Sequence, residues 1–308
     1  MINKKILITG GAGFLGQSLD KHLQTQGVKN IFVPRSKDYN LVNGYNVLRL
    51  LNDSKPDIVI HLAAKVGGIG ANLNNPASFF YENAMMGMHL IHESYRARVE
   101  KIVILGTVCA YPKFCPTPFK EEDIWNGYPE ETNAPYGLAK KMLNVQAIAY
   151  NKQYGFNAVM LYPANLYGPN DSIDLENCHV IPAMMRKFHS AKLLGVKEVI
   201  LWGDGSPTRE FLYVDDCAEG IWLATKNHSS PEPVNLGSGD EISMLYLANL
   251  IAKIVGYDGQ IIWDGSKPNG QPKRTLNTEK ALRFGFKAHT SLFNGLNETY
   301  KWLKTIPA

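Results

Sequence analysis

The stretch Lys5–Gly16, KILITGGAGFLG, decides the fold. KILIT has the length and unbroken apolar character of a buried strand. Beyond the glycines, Phe14, Leu15, Leu19 and Leu23 fall on one face of a helix running from Phe14 to Gln26. Between the two, Gly11, Gly13 and Gly16 fit G-x-G-x-x-G in the strand–turn–helix setting that this fingerprint requires. Glycines there make the tight turn, let backbone N–H groups approach a pyrophosphate, and let the helix pack on the strand. The positive end of the helix then favours phosphate charge. Gly10, Gly13, Phe14, Leu15 and Gly16 are therefore candidate dinucleotide contacts.

Working outward, NIFVP, DIVIHLAA, KIVILG and NAVMLYP read as four more strands, with helical patterns at 76–98 and from Tyr136 to Tyr154. Apolar strands that alternate with helices and lack an in-out pattern indicate a parallel sheet covered on both faces. The expected fold is α/β, a doubly wound Rossmann-type sheet with a smaller C-terminal substrate lobe. Ligands of such sheets sit at the carboxyl ends of the strands. After about residue 166 the pattern loosens. A helix is expected after Pro182, and EVILWGDGSPTREFLYVDD has strand character with a turn in its middle. The boundaries expected are 1–166 plus about 210–237 for the dinucleotide domain, and about 167–209 plus 238–308 for the second lobe.

The second strand ends FVPRSKDYNL. A site for NAD usually carries an acidic residue there for the ribose 2′-hydroxyl, whereas a cation accommodates a 2′-phosphate. Arg35, Ser36 and Lys37 occupy the strand end, which predicts NADP(H). Asp38 is the one acidic residue close by. The small residues of HLAA, Ala63 and Ala64 among them, leave room for a dinucleotide across the sheet edge.

Composition excludes several classes. The chain has 308 residues, 45% hydrophobic and 19% charged, with a formal net charge of +4. That is ordinary for a globular protein with a large core. No basic run or aromatic-interleaved basic stripe points to nucleic acid. Cys109, Cys115, Cys178 and Cys217 show no metal-ligand spacing, so no metal is expected. The N-terminus MINKKILITGG lacks the features of a signal peptide, and no apolar run is long enough to span a bilayer. A cytoplasmic, reduced protein is the expectation.

Tyr136 and Lys140 in YGLAK are four apart and share a helix face. A phenol is a poor base near neutrality, and a neighbouring ammonium is expected to lower its pKa towards the working range. Thr107, in GTVCAYP at the end of the fourth strand, offers a hydroxyl to the same substrate oxygen. Phenol, ammonium and hydroxyl suffice to move a proton alongside a hydride. Cys109, two residues on, is then unexplained, because a free cysteine is otherwise often core filler.

TGGAGFLG, Thr107 and YGLAK together resemble an extended short-chain dehydrogenase/reductase. HLAAKVGGIGANLNNP, CAYP, NCHVIPAMMRKFH, LWGDGSPTREFLYVDD and SKPNGQP narrow the resemblance to the GDP-L-fucose synthase family, nearly end to end. The resemblance implies an NADPH-dependent 3,5-epimerase/4-reductase of a GDP-4-keto-6-deoxy sugar. It implies that Cys109 and His179 are the acid/base pair of epimerisation. The chemistry is sound, because a 4-keto group acidifies the hydrogens on C3 and C5, and thiol and imidazole both titrate near neutrality. It further implies that Lys187, Arg209 and Lys267 neutralise phosphates and that Trp202 packs on the ligand. Leu41, Pro163, Asn165, Leu166 and His179 join the cofactor contacts, with Asn133 near the sugar. The family usually reads Ser-Ser-Cys where this chain has Thr107-Val108-Cys109, so the shape of the sugar pocket is in question. An enzyme with only one of the two activities, acting on another deoxysugar or a heptose, remains an alternative, as does a 4-epimerase or 4,6-dehydratase. A non-catalytic NADP-binding protein ranks last. Apolar residues on more than one face of the helices at 76–98 and 136–154, including Met85, Met86, Met88 and Leu90, predict a homodimer.

Overall fold

In the computed structural model, residues 1–174, 178–267 and 269–306 are described. Leu175–Asn177, inside the loop-rich stretch read from 165 to 182, and Pro268 of SKPNGQP lie outside them.

The first half alternates as its sequence dictates: β1 (Ile6–Thr9), α1 (Phe14–Thr25), β2 (Ile31–Phe32), α2 (Gly44–Ser54), β3 (Ile58–His61), α3 (Ile69–Asn74), α4 (Pro76–Arg96), β4 (Lys101–Leu105), α5 (Ala134–Tyr154) and β5 (Ala158–Pro163). The second half holds β6 (Asn165–Tyr167), α6 (Val180–Leu194), β7 (Glu198–Trp202), β8 (Thr208–Tyr213), α7 (Val214–Asn227) and β9 (Val234–Leu236). It ends with β10 (Glu241–Ser243), α8 (Met244–Val255), β11 (Gln260–Asp264), β12 (Lys273–Arg274), α9 (Glu279–Leu282) and α10 (Leu292–Leu303).

The central sheet runs β2-β1-β3-β4-β5-β9, parallel throughout. β1, β3 and β5 are buried along their whole length, as strands covered on both faces must be. Strand order reverses between β1 and β3, and that switch point is where an open α/β sheet forms its crevice. Gly10 closes it. At φ +74° its backbone is left-handed, and a Cβ there would lie 2.6 Å from the Ala63 backbone nitrogen at the end of β3. Gly16 lets α1 settle on the loop, since a Cβ would lie 2.3 Å from the Gly10 carbonyl oxygen.

Two apolar cores form. One surrounds the central sheet and includes Leu212, Val214, Trp222, Leu236, Leu276, Phe284 and Phe286. The other gathers Tyr167, Met185, Phe188, Leu201, Phe211, Leu247, Ile251, Leu296 and Tyr300.

One local expectation changes, and EVILWGDGSPTREFLYVDD forms two strands with a turn between them as expected. The helix expected after Pro182 begins at Val180, so Pro182 sits in its first turn, where the missing N–H leaves no hydrogen bond unmade. The two strands of EVILWGDGSPTREFLYVDD do not pair with each other. Gly203 and Gly205, at φ +83° and +78°, turn the chain between them. β7 pairs with β11, while β8 lies between β10 and β12 and also pairs with β6.

Candidate active site

A cavity of about 1640 Å³ runs from the carboxyl ends of β1 and β3 into the space beside α6, β7 and β8. At one end its wall holds Gly10, Gly13, Phe14, Leu15 and Gly16, with Arg35, Leu41, Ala63 and Ala64. Pro163, Asn165 and Leu166 line its middle, along with Thr107, Cys109, Tyr136, Lys140 and His179. Lys187, Trp202 and Arg209 line the far end, and Asn133, the N-cap residue of α5, is also on the wall. Lys267 is not on the wall. It is exposed at the rim, its Nζ 5.8 Å from the centre of the Trp202 ring.

The first end suits a dinucleotide with a 2′-phosphate. A Cβ on Gly13 would approach only the Gly10 carbonyl oxygen, at 3.2 Å, so this glycine keeps a space open rather than filling a packed one. Arg35 is exposed on the cavity wall, whereas Asp38 is not among the lining residues. Thr9 and His61, at the ends of β1 and β3, join side chain to side chain at 2.7 Å and fasten the floor of this crevice. Burial holds His61 well below the usual imidazole range.

The catalytic candidates meet where α5 touches the turn after β4. Val108–Ala110 form one turn of 3₁₀ helix, and the Thr107 hydroxyl accepts a hydrogen bond from the Cys109 backbone N–H at 3.2 Å. A Cβ on Gly137 would lie 2.4 Å from the Cys109 carbonyl oxygen, so α5 docks directly onto this turn. That contact sets Tyr136 beside Thr107 and Cys109. Lys140, one helical turn on, is buried.

The expectation that Lys140 would lower the phenol pKa is not met. Burial pushes Tyr136 well above its usual range, the nearby Cys109 thiol adds to the rise, and the Thr107 hydroxyl works against it. Burial also lowers Lys140, to about 8. Desolvation disfavours phenolate and ammonium alike, and neither group shifts the other here. A phenol held protonated at neutral pH is suited to donate a proton, as reduction of a ketone requires.

His179 is the N-cap residue of α6, and its Nδ1 lies 3.1 Å from Asp171 Oδ2 and 3.2 Å from Oδ1. Burial lowers the imidazole pKa, but the Asp171 hydrogen bond and charge outweigh it and leave the pKa raised.

Besides Asp171, two residues of the site have no counterpart in the sequence reading. Arg274 donates from Nη1 to Cys109 Sγ at 3.6 Å, and Gln271 Oε1 accepts from its Nε at 3.2 Å and Nη2 at 3.0 Å. β12 pairs in parallel with β8 so that Arg274 stands opposite Arg209. Burial, followed by repulsion from Arg274, lowers the Arg209 guanidinium to about 10. Among the described residues neither arginine has a carboxylate within ion-pair distance. Two adjacent guanidiniums without a carboxylate form a strong anion site. The polar loop at 265–275 gave no sign of this from sequence, because the placement depends on strand register.

Known proteins resemble this chain in sequence and fold. Residues 6–237 match the NAD dependent epimerase/dehydratase family. GDP-L-fucose synthase 1 of Arabidopsis thaliana is 40% identical over 97% of this chain and 92% of its own length. A GDP-6-OMe-4-keto-L-xylo-heptose reductase from C. jejuni superposes with a TM-score of 0.95 at 30% identity, covering 99% of both chains. A GDP-L-fucose synthetase from Naegleria fowleri bound to NADP superposes with a TM-score of 0.90 at 29% identity, covering 98% of this chain and 94% of that one.

Proposed function

The chain belongs to the NAD dependent epimerase/dehydratase family, within its GDP-L-fucose synthases, and from that membership we propose that it epimerises C3 and C5 and reduces C4 of a GDP-4-keto-6-deoxyhexose. The product is GDP-L-fucose or a close relative. One observation carries the reading: a single cavity brings Thr107, Cys109, Tyr136, Lys140 and His179 between a glycine loop and the Arg209–Arg274 pair.

Each group has work suited to its setting. The Arg209–Arg274 pair, with Lys187, takes the diphosphate, and Trp202 offers a flat face beside it. Cys109 and His179 remove and return protons at the carbons flanking the ketone. The glycine loop, Arg35 and the small residues Ala63 and Ala64 would hold NADPH, which would supply a hydride for C4. Tyr136 gives a proton to the C4 oxygen, Thr107 hydrogen-bonds the same oxygen, and Lys140 holds the cofactor ribose.

The deciding experiment supplies GDP-4-keto-6-deoxymannose and NADPH in heavy water. Loss of NADPH absorbance reads reduction, and NMR reads deuterium at C3 and C5. Both signals, with exchange lost in Cys109→Ser, are the expected result. NADPH consumption without deuterium would favour a 4-reductase alone, the reading suggested by the heptose reductase likeness at a TM-score of 0.95.

A homodimer is part of the proposal. α4 and α5 pack on each other and still expose Tyr81 and Met88 on one and Met142 and Val145 on the other. The four cysteines are unpaired, which suits a reducing compartment such as the cytoplasm. Among the described residues no helix is long and apolar enough to cross a membrane. The division proposed is a dinucleotide domain, residues 1–166 plus about 210–237, and a sugar-binding lobe, with the cores crossing those bounds: Leu276, Ala281, Phe284 and Phe286 pack on the sheet core, and Phe211 and Tyr213 on the other.

A further inference from the structure

We propose that Asp171 is the positioning residue of His179, fixing which ring nitrogen bears the proton and turning the other towards the sugar. The proposal rests on the reading that His179 exchanges a proton with the substrate carbon acid.

The geometry is that of a buried carboxylate behind a half-exposed ring. The Asp171 side chain is 3% exposed and that of His179 is 44% exposed on the cavity wall. Both carboxylate oxygens lie within hydrogen-bond distance of Nδ1, at 3.2 and 3.1 Å. A carboxylate only accepts, so Nδ1 must donate. In the neutral ring the lone pair is then on Nε2, the nitrogen left for the cavity. The reverse tautomer would set two lone pairs against each other at Nδ1 and leave Nε2 without one.

The chain is bent to produce this contact. Asn170 has φ +70°, a left-handed conformation that a non-glycine residue adopts at a cost. The Ser172 backbone N–H then bonds Asp171 Oδ1 at 2.8 Å, which holds the carboxylate in place. His179 is fixed from its other side, because its carbonyl accepts from Ala183 N–H in the first turn of α6. The pair therefore joins two anchored backbone segments. Asp174 and Arg186 are charged groups beside this loop, and Lys187 follows on α6. Arg186 Nη1 is committed to the Ile173 carbonyl at 2.6 Å, and Lys187 Nζ reaches the Ile200 carbonyl at 3.3 Å.

A purely structural Asp171 would matter for the loop and not for the ring, and NMR separates the two. The imidazole of His179, assigned by its absence in His179→Gln, is titrated in the wild type and in Asp171→Asn. The asparagine keeps the size and the Ser172 bond but removes the charge. The expected pKa drop is about one unit. Deuterium incorporation at the sugar should slow about tenfold or more, with Asp171→Glu recovering part of both. Far-UV circular dichroism and the melting temperature report that each variant is folded. An unchanged His179 titration overturns the proposal without reference to any substrate. A shifted titration with undiminished exchange also overturns it. In that case His179→Gln identifies the fault: if it too exchanges normally, the assigned role of His179 falls as well, and if it does not, only the role of Asp171 falls.

Discussion

The carbonyl oxygen of Cys109 lies 2.4 Å from where a Cβ on Gly137 would stand. One missing methyl group thus sets the spacing between the turn that carries the thiol and the helix that carries Tyr136 and Lys140. Gly137→Ala must push α5 away from that turn, because the obstacle is backbone on both sides. Overpacking of this kind costs about 1–3 kcal/mol. The variant is expected to fold with a lowered melting temperature. Steady-state NADPH oxidation should fall at least about tenfold, because proton transfer needs hydrogen-bond reach.

Lys140 makes opposite predictions for activity and stability. Burial holds its pKa at about 8, below the 10.5 of an ordinary lysine. Between those values the unfolded chain binds more protons, so stability rises with pH across that window. At lower pH the buried ammonium is a standing cost. Lys140→Met is expected to lose reduction yet melt higher at pH 7, by about 3 °C or more. The gain should shrink as pH climbs from 8 to 10.5. Calorimetry at pH 7 and pH 10 checks the sign, and a variant that melts lower at pH 7 would contradict it.

Arg274 holds the Cys109 sulfur at 3.6 Å and is itself held by Gln271. Arg274→Met is expected to weaken binding of the GDP-sugar and slow deuterium exchange about tenfold. NADPH affinity should stay as in the wild type, because Arg274 lies at the other end of the cavity. Fluorescence titration with NADPH and isothermal calorimetry with GDP separate the two effects.

Arg35 is the exposed cation on the cofactor side of the cavity. Replacing it by Asp should raise the NADPH dissociation constant about tenfold or more and bring NADH close to parity, since a carboxylate repels the 2′-phosphate and accepts from a free ribose hydroxyl. Competition binding of the two cofactors reads this directly.

The sequence shows the part of this molecule that depends on local pattern. KILIT, the three glycines and the apolar face of α1 carry the strand, turn and helix within a few residues of one another. Tyr136 and Lys140 share a face because helices repeat, and that too is legible. Arg274 is not, because it reaches Cys109 across 165 positions through the pairing of β12 with β8. The rise of the Tyr136 pKa is likewise hidden: an i, i+4 spacing tells of a neighbouring charge and nothing of the water that burial removes. Asp171 lies eight residues before His179, yet a loop gives no periodicity from which their contact follows. The start of α6 is hidden because a proline suits both a helix boundary and a first turn, and Pro182 stands in the first turn.

Leu276, Ala281, Phe284 and Phe286 pack into the sheet core, although α8 and β11, which precede them, belong to the other core. Phe286 seals against Gly220 of α7, where a Cβ would lie 2.9 Å from its ring. A chain emerging from the ribosome can therefore pair its first five strands early but cannot close the hydrophobic layer over them until residue 286 is free. The glycine loop is made well before the layer that completes its core. Newly made chains must wait on residues 276–286 before that core is complete, and damage there reaches a glycine loop more than 250 residues earlier.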